Sequence, residues 1–147
     1  MKFERNAGIL LHPTSLPGKY GIGDLGTDAY KLVDFLERAG QKLWQVFPLG
    51  PTGYGDSPYQ CFSAFAGNPN LVSPDKLMED GLLRDHDLHN IPEHDPTSID
   101  YGEIIEYKKS LLKKAFINFK HNQEKFEKDF NKFCKENKIW LDDFAFF

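Results

Sequence analysis

Apolar residues recur at helical spacing in the first third of the chain, between two short apolar runs. From Thr27 to Ala39 they recur every three or four positions, and Gly40 follows as a C-terminal stop, which predicts a helix. The runs Ile9 to Leu11 and Leu43 to Phe47 are short and rich in branched or aromatic side chains, which predicts strands. A strand, a helix and a strand in this order predict a βαβ unit with two parallel strands.

The second half of the chain carries a more charged helical pattern. Asp100 and Glu103 form an acidic variant of a capping box, and the apolar positions after them predict an amphipathic helix that ends near Lys120. A more charged helix is predicted from about Gln123 to Glu136, and a short one around Asp75 to Gly81. The final stretch, "WLDDFAFF", becomes strongly apolar, and we interpret it as an incomplete hydrophobic segment.

Two segments lack a regular period. Residues 50–70 have glycine or proline at short intervals, which predicts a long structured loop, and residues 84–98 predict a polar loop.

Because a parallel sheet needs helices on both faces, two strands predict the N-terminal part of a larger α/β protein. We expect its long loops at the carboxyl edge of the sheet, where ligands bind.

Composition and charge exclude several classes of protein. The 147 residues are 40% hydrophobic and carry a formal net charge of -4 without a long block of one sign, so we expect neither a nucleic-acid nor a membrane partner. Because the N-terminal apolar run is too short for a signal peptide and no 18 apolar residues run together, we expect a cytoplasmic protein. Cys61 and Cys134 are expected to be reduced thiols, with Cys134 in the core.

The stretch "GIGDLG", residues 21–26, matches the dinucleotide fingerprint G-x-G-x-x-G. In dinucleotide folds the first glycine follows the strand directly, and an acidic residue about 20 positions later holds the ribose. Here "HPTSLPGKY" intervenes and no acidic residue lies between Val46 and Pro48, so we expect no nicotinamide and no other cofactor. We interpret the glycines as turn residues, with Asp24 or Thr27 capping the next helix.

The stretch "GPTGYGDSPYQ", residues 50–60, places Tyr54 and Tyr59 on either side of Asp56 and Ser57. Aromatic faces beside short polar groups suit sugars, because a pyranose stacks on a ring while its hydroxyls need hydrogen-bond partners. Tyrosines in long loops also serve as hydrophobic anchors, so both interpretations stay open at this point. Asp56 is interpreted as a loop brace or hydroxyl acceptor.

The segment "RDHDLHNIPEHD" combines residue types that bind zinc and other metals. Its histidines and aspartates are His86, His89, His94, Asp85, Asp87 and Asp95. No regular period holds them in a fixed geometry, so we expect no metal here and interpret the segment as a solvated insertion loop.

Four stretches carry a family resemblance in order along the chain: "GILLHPTSLPGKYGIGDLG", "LWQVFPLGPTGYGDSPYQ", "SAFAGNPNLVSPDKL" and "IDYGEIIEYKKSLLKKAF". The chain resembles the N-terminal portion of the 4-alpha-glucanotransferases, known as amylomaltase or disproportionating enzyme, of the alpha-amylase clan. The resemblance implies a (β/α)₈ TIM barrel with inserted helical subdomains, and such a barrel needs about 250 residues. It implies that residues 1–74 start the barrel and carry a long substrate-binding loop. Residues 75–147 would belong to an inserted, mainly helical subdomain, truncated at its C-terminal end.

The resemblance also implies an activity, the transfer of α-1,4-glucan segments to the 4-hydroxyl of glucose or another glucan by a retaining double displacement. The implied partners are α-1,4-glucans and malto-oligosaccharides, with glucose as acceptor and no diffusible cofactor. Because the family's carboxylates come from later strands, we expect no catalytic residue in this chain, and the resemblance implies no metal ligand. The alternative is a stand-alone carbohydrate-binding module without catalysis.

Residue by residue, the resemblance implies binding roles. Tyr59 matches the family tyrosine that stacks under the sugar at the cleavage point, and Ser57 matches a position that lines the same groove. Tyr54 and Tyr101 resemble aromatic platforms for a more distant part of a long glucan. The structural alternatives are that Tyr59 anchors its loop and that Tyr101 packs beside a helix cap.

Overall fold

The computed structural model of the protein describes residues 5–147, and it contains the predicted βαβ unit. Strands β1 (Gly8–Leu10) and β2 (Leu43–Gln45) pair in parallel, with Ile9 opposite Trp44. Helix α1 (Thr27–Arg38) connects them, as predicted. Each strand is three residues long, so β2 ends before Phe47 and is shorter than predicted.

Four more helices follow: α2 (Pro74–Glu79), α3 (Tyr101–His121), α4 (Gln123–Glu136) and α5 (Lys138–Phe146). The predicted start of α3 is confirmed, because the Asp100 carboxylate accepts a hydrogen bond from the Glu103 amide at 3.2 Å. The sequence did not predict α5, since its apolar residues follow no amphipathic period. Asn137 separates α5 from α4, and its side-chain amide donates to the Phe133 carbonyl at 2.8 Å.

The main hydrophobic core lies between α3, the segment that follows α2 and the loop before α1. Its buried residues are Tyr20, Leu83, Leu88, Leu111 and Ala115. Leu88 ends a 3₁₀ turn at Asp85–Leu88 and is only 6% exposed, so the prediction of a polar loop over residues 84–98 is wrong for this part of the segment. Ile91 also packs against the core, although it is only partly buried.

Helix α4 packs along one aromatic seam, in which the ring of Phe119 lies 5.8 Å from that of Phe126 and 5.4 Å from that of Phe130. Within the described part of the chain, no residue of α4 is fully buried. Cys134 is only partly buried, so the prediction that it is a core residue is wrong. Helical spacing correctly predicted which face of α4 packs against other residues, but those residues bury that face only in part.

The "GIGDLG" turn packs tightly against its surroundings. Gly21 has a φ of 78°, and a Cβ there would lie 2.6 Å from the Ile104 side chain of α3. The prediction that Asp24 or Thr27 caps α1 is wrong: Gly26 is the N-cap, and no side chain in residues 5–147 caps the helix. Asp24 is instead bound by the buried Lys108, which is the stronger partner for a carboxylate removed from water.

Candidate functional site

Two aromatic residues follow the two strands at the carboxyl edge of the sheet. His12 comes two residues after β1 and Phe47 two residues after β2, and their rings stack with centroids 6.0 Å apart. The ring of Tyr59 lies 5.5 Å from that of Phe47 at an interplanar angle of 51°. The Tyr59 side chain is 72% exposed. The strand ends therefore support an exposed tyrosine at the edge where ligands bind in parallel α/β proteins.

The loop that carries Tyr59 is held by its own backbone and short polar side chains. Thr52 and Cys61 form an antiparallel bridge across it. Asp56 has a φ of 53°, and its carboxylate accepts from the Thr52 hydroxyl at 3.5 Å, in agreement with the predicted brace. The Ser57 hydroxyl oxygen accepts from the Tyr59 amide at 3.4 Å. Ser57 thus lies directly beside the backbone of Tyr59.

The two other predicted tyrosines differ in their surroundings. Tyr54, at the tip of the loop, has a fully exposed side chain. Tyr101 begins α3 and is half-buried in the wall of a cavity of about 740 Å³, which Thr14 and His94 also line. Burial raises the pKa of Tyr101, the neighbouring Thr14 hydroxyl opposes this, and the negative charge of Asp56 adds to it. Tyr54 is therefore open to solvent, whereas Tyr101 forms part of a cavity wall.

Sequence reasoning missed His12 and Phe47. Both could have been found from their position, since His12 directly follows one predicted strand, Phe47 ends the other, and the carboxyl ends of parallel strands lie at one edge of the sheet. His12 is buried, and this burial lowers the pKa of its imidazole, an effect that the Pro48 backbone carbonyl only partly offsets. At neutral pH the ring is uncharged.

The histidine-rich segment divides its side chains among separate partners. His89 pairs with Asp85 at 2.8 Å, and His94 contacts the Pro92 carbonyl at 3.1 Å. Asp87 is buried against Lys114 at 2.6 Å, and the lysine holds the pKa of this carboxyl below its usual value. Among residues 5–147 no three histidine, cysteine or acidic side chains are arranged to hold a metal ion. The segment is packed at one end, where the sequence predicted only solvent.

A parallel βαβ unit with an exposed aromatic loop at its carboxyl edge places the chain in the α/β class of proteins. The family model for the 4-alpha-glucanotransferases, family 77 of the glycoside hydrolases, matches residues 11–147. The chain belongs to this family.

Among the described residues no helix has the length and apolar character needed to cross a bilayer.

Curated relatives resemble almost the whole chain. It is 49% identical over 145 residues to a 4-alpha-glucanotransferase of Synechocystis sp. and 48% identical over 148 residues to one of Thermus thermophilus, which covers 98% and 100% of this chain. A chloroplastic/amyloplastic 4-alpha-glucanotransferase of Solanum tuberosum is 43% identical over 97% of the chain. The alignments cover 29%, 29% and 26% of these relatives, so the chain spans little more than a quarter of their length.

A solved structure matches the fold. The amylomaltase from Streptococcus agalactiae in complex with acarbose superposes with a TM-score of 0.89 and 43% sequence identity. The match covers 97% of this chain and 28% of that chain. The mixed α/β arrangement, with two parallel strands and accompanying helices, therefore corresponds to one part of an amylomaltase.

Proposed function

We propose that this chain is the glucan-binding N-terminal part of a 4-alpha-glucanotransferase, which transfers segments of α-1,4-glucan to the 4-hydroxyl of glucose or another glucan. The observation that carries the proposal is the exposed Tyr59 ring at the carboxyl edge of β1 and β2, in a chain whose residues 11–147 match the family. Malto-oligosaccharides serve as donors and acceptors, and glucose serves as an acceptor. We assign no cofactor.

The architecture we propose is a (β/α)₈ barrel that begins with residues 1–74, into which residues 75–147 insert a mainly helical subdomain. The apolar side chains of the short sheet support this proposal, because Leu10 is 50% exposed and Leu43 is 57% exposed. Exposed apolar strand residues gain stability when further strands and helices cover them. The same exposure argues against a stand-alone carbohydrate-binding module.

In the proposed reaction a carboxylate attacks the anomeric carbon while a carboxylic acid protonates the leaving oxygen. The 4-hydroxyl of an acceptor sugar then displaces the enzyme from the glycosyl intermediate. We place these carboxyl groups outside residues 1–147. The part of this chain is to bind and orient, with Tyr59 stacked on the sugar at the cleavage point and Ser57 lining the same groove. Tyr54 and Tyr101 support a more distant part of a long glucan.

The proposal is tested by incubating the complete protein with maltotriose and separating the products. A transferase yields glucose together with oligosaccharides longer than maltotriose. Release of glucose and maltose alone would identify a hydrolase instead, and binding of amylose without any product would favour the module. The 147-residue chain by itself is expected to form no product, because the catalytic carboxyl groups are proposed to lie outside it.

A further inference from the structure

We propose that His12 is a positioning residue for Tyr59, which it supports through the intervening ring of Phe47. The proposal rests on the function proposed above, which assigns Tyr59 to the substrate. His12 itself is buried and is not proposed to touch the sugar.

Packed aromatic rings link His12 to Tyr59. The imidazole of His12 lies nearly parallel to the ring of Phe47, at an interplanar angle of 22°, and Phe47 in turn meets Tyr59. Because Tyr59 is 72% exposed, few other contacts fix the orientation of its ring. Aromatic pairs at these separations are attractive and have preferred angles, so the rings of His12 and Phe47 favour one position of the Tyr59 ring.

The imidazole of His12 is itself held by Thr14. Nδ1 of His12 lies 2.8 Å from the Thr14 hydroxyl and 3.3 Å from the Thr14 amide nitrogen. Since an amide N–H can only donate, Nδ1 must accept, and the ring proton is on Nε2. These contacts fix the plane of the imidazole that stacks on Phe47.

If His12 served only to cap the turn that follows it, its burial would be unusual. Its Nε2 atom is buried and has no hydrogen-bond partner of ordinary geometry among residues 5–147. Leaving a buried donor unsatisfied costs stability. A phenylalanine would avoid this cost, and an asparagine would cap the following turn. Neither would provide both the ring and the acceptor.

Two variants test this link. His12→Asn retains an oxygen that can accept from Thr14 but removes the ring, and His12→Phe retains the ring but removes the acceptor. In the complete protein, His12→Asn is expected to lower kcat/KM for maltotriose by roughly 10- to 100-fold, because Tyr59 is displaced. His12→Phe is expected to lower it less than His12→Asn does, because the ring that packs on Phe47 is kept.

An activity-independent measurement distinguishes failure of this proposal from failure of the proposed function. The complete protein is labelled with 3-fluorotyrosine, and the ¹⁹F resonance of Tyr59 is assigned from the Tyr59→Phe variant. His12→Asn should shift the Tyr59 resonance, and His12→Phe should shift it less. If the resonance does not move in folded His12→Asn, the positioning role is wrong. If the shift occurs as expected but the wild-type protein does not disproportionate maltotriose, the positioning role holds and the transferase proposal fails.

Should His12→Asn fail to fold, Phe47→Leu tests the link at the next ring. It should reproduce the Tyr59 shift and the loss on maltotriose. A wild-type Tyr59 resonance and wild-type kinetics in folded Phe47→Leu would overturn the proposal.

Discussion

The ammonium group of Lys108 lies 3.0 Å from the carboxylate of Asp24, 84 residues earlier in the chain. The lysine is only 1% exposed, and it also donates to the backbone carbonyls of Asn70 and Val72, each at 3.0 Å. Burial lowers the pKa of Lys108, and Asp24 raises it part of the way back. One cation therefore joins α3 to the turn before α1 and to the segment before α2.

Removal of this cation is expected to destabilise the protein strongly. Lys108→Met should lower the free energy of unfolding by about 3–5 kcal/mol, because it leaves Asp24 and two carbonyls without their donor. The double variant with Asp24→Asn should recover part of the loss, since the uncompensated charge is then absent. Urea unfolding followed by circular dichroism measures both effects.

Lys109→Met is the matched control for this experiment. Lys109 is the adjacent residue of α3, and its ammonium is exposed and pairs with Glu106 at 3.7 Å. It should change the free energy of unfolding by less than about 0.5 kcal/mol. An equal effect of the two substitutions would show that the buried ion pair does not fasten α3.

These residues show which features of the fold could be predicted from the sequence. Local patterns predicted the βαβ unit and the cap of α3, because those depend on nearby side chains. Asp24 also matched a local pattern, that of a helix cap, but its partner was Lys108, 84 residues away. Nothing in a local window shows which lysine of α3 is buried. His12 was missed for a different reason. The strand that precedes it was predicted, but its position at the end of that strand was not taken as an indication of function.

The "GIGDLG" turn is expected to tolerate no Cβ at its first glycine. Gly21→Ala combines a positive φ of 78° with a collision against Ile104, and it should lower the free energy of unfolding by about 2–4 kcal/mol. Gly40→Ala separates the two causes, because Gly40 has a φ of 69° with nothing within 4 Å of the added methyl. That variant should cost only about 1 kcal/mol.

A second substitution tests the collision directly. Ile104→Val removes the Cδ1 atom that a Cβ at Gly21 would meet at 2.6 Å. In the Gly21→Ala background it should therefore destabilise less than it does in the wild-type protein, by roughly 1 kcal/mol in a double-mutant cycle. Strict additivity would mean that backbone strain alone explains the loss.

The buried imidazole predicts a pH dependence of stability. Because the pKa of His12 is lowered from 6.5, the unfolded chain binds more protons than the folded one as the pH falls below this value. The groups described around the ring, Thr14, Phe47 and the Pro48 carbonyl, are uncharged. The free energy of unfolding should thus decrease as the pH falls from about 6.5 toward the lowered pKa. Thermal unfolding across this range should show a smaller slope for His12→Asn, and identical slopes would contradict the assignment.

The roles proposed for Tyr59 and Tyr54 separate by the length of the substrate. Tyr59→Ala removes the ring that stacks at the cleavage point, so kcat/KM for maltotriose should fall about 30- to 1,000-fold, which corresponds to roughly 2–4 kcal/mol of transition-state stabilisation. The fold should survive, since this side chain is 72% exposed. Tyr54→Ala should spare maltotriose and weaken the reaction on amylose, because a short substrate does not extend to the outer ring.

Tyr30→Ala provides the matched control, because Tyr30 is an equally large, 61% exposed tyrosine on α1, away from the loop that carries Tyr59. It should leave the kinetics on both substrates unchanged. Rates of disproportionation measured for the three variants on maltotriose and on amylose form a complete comparison. If Tyr59→Ala remains folded and keeps the wild-type rate on maltotriose, the ring serves only to anchor its loop, and the stacking role is wrong. If Tyr54→Ala lowers both rates equally, the two tyrosines belong to one site, and the separation by chain length fails.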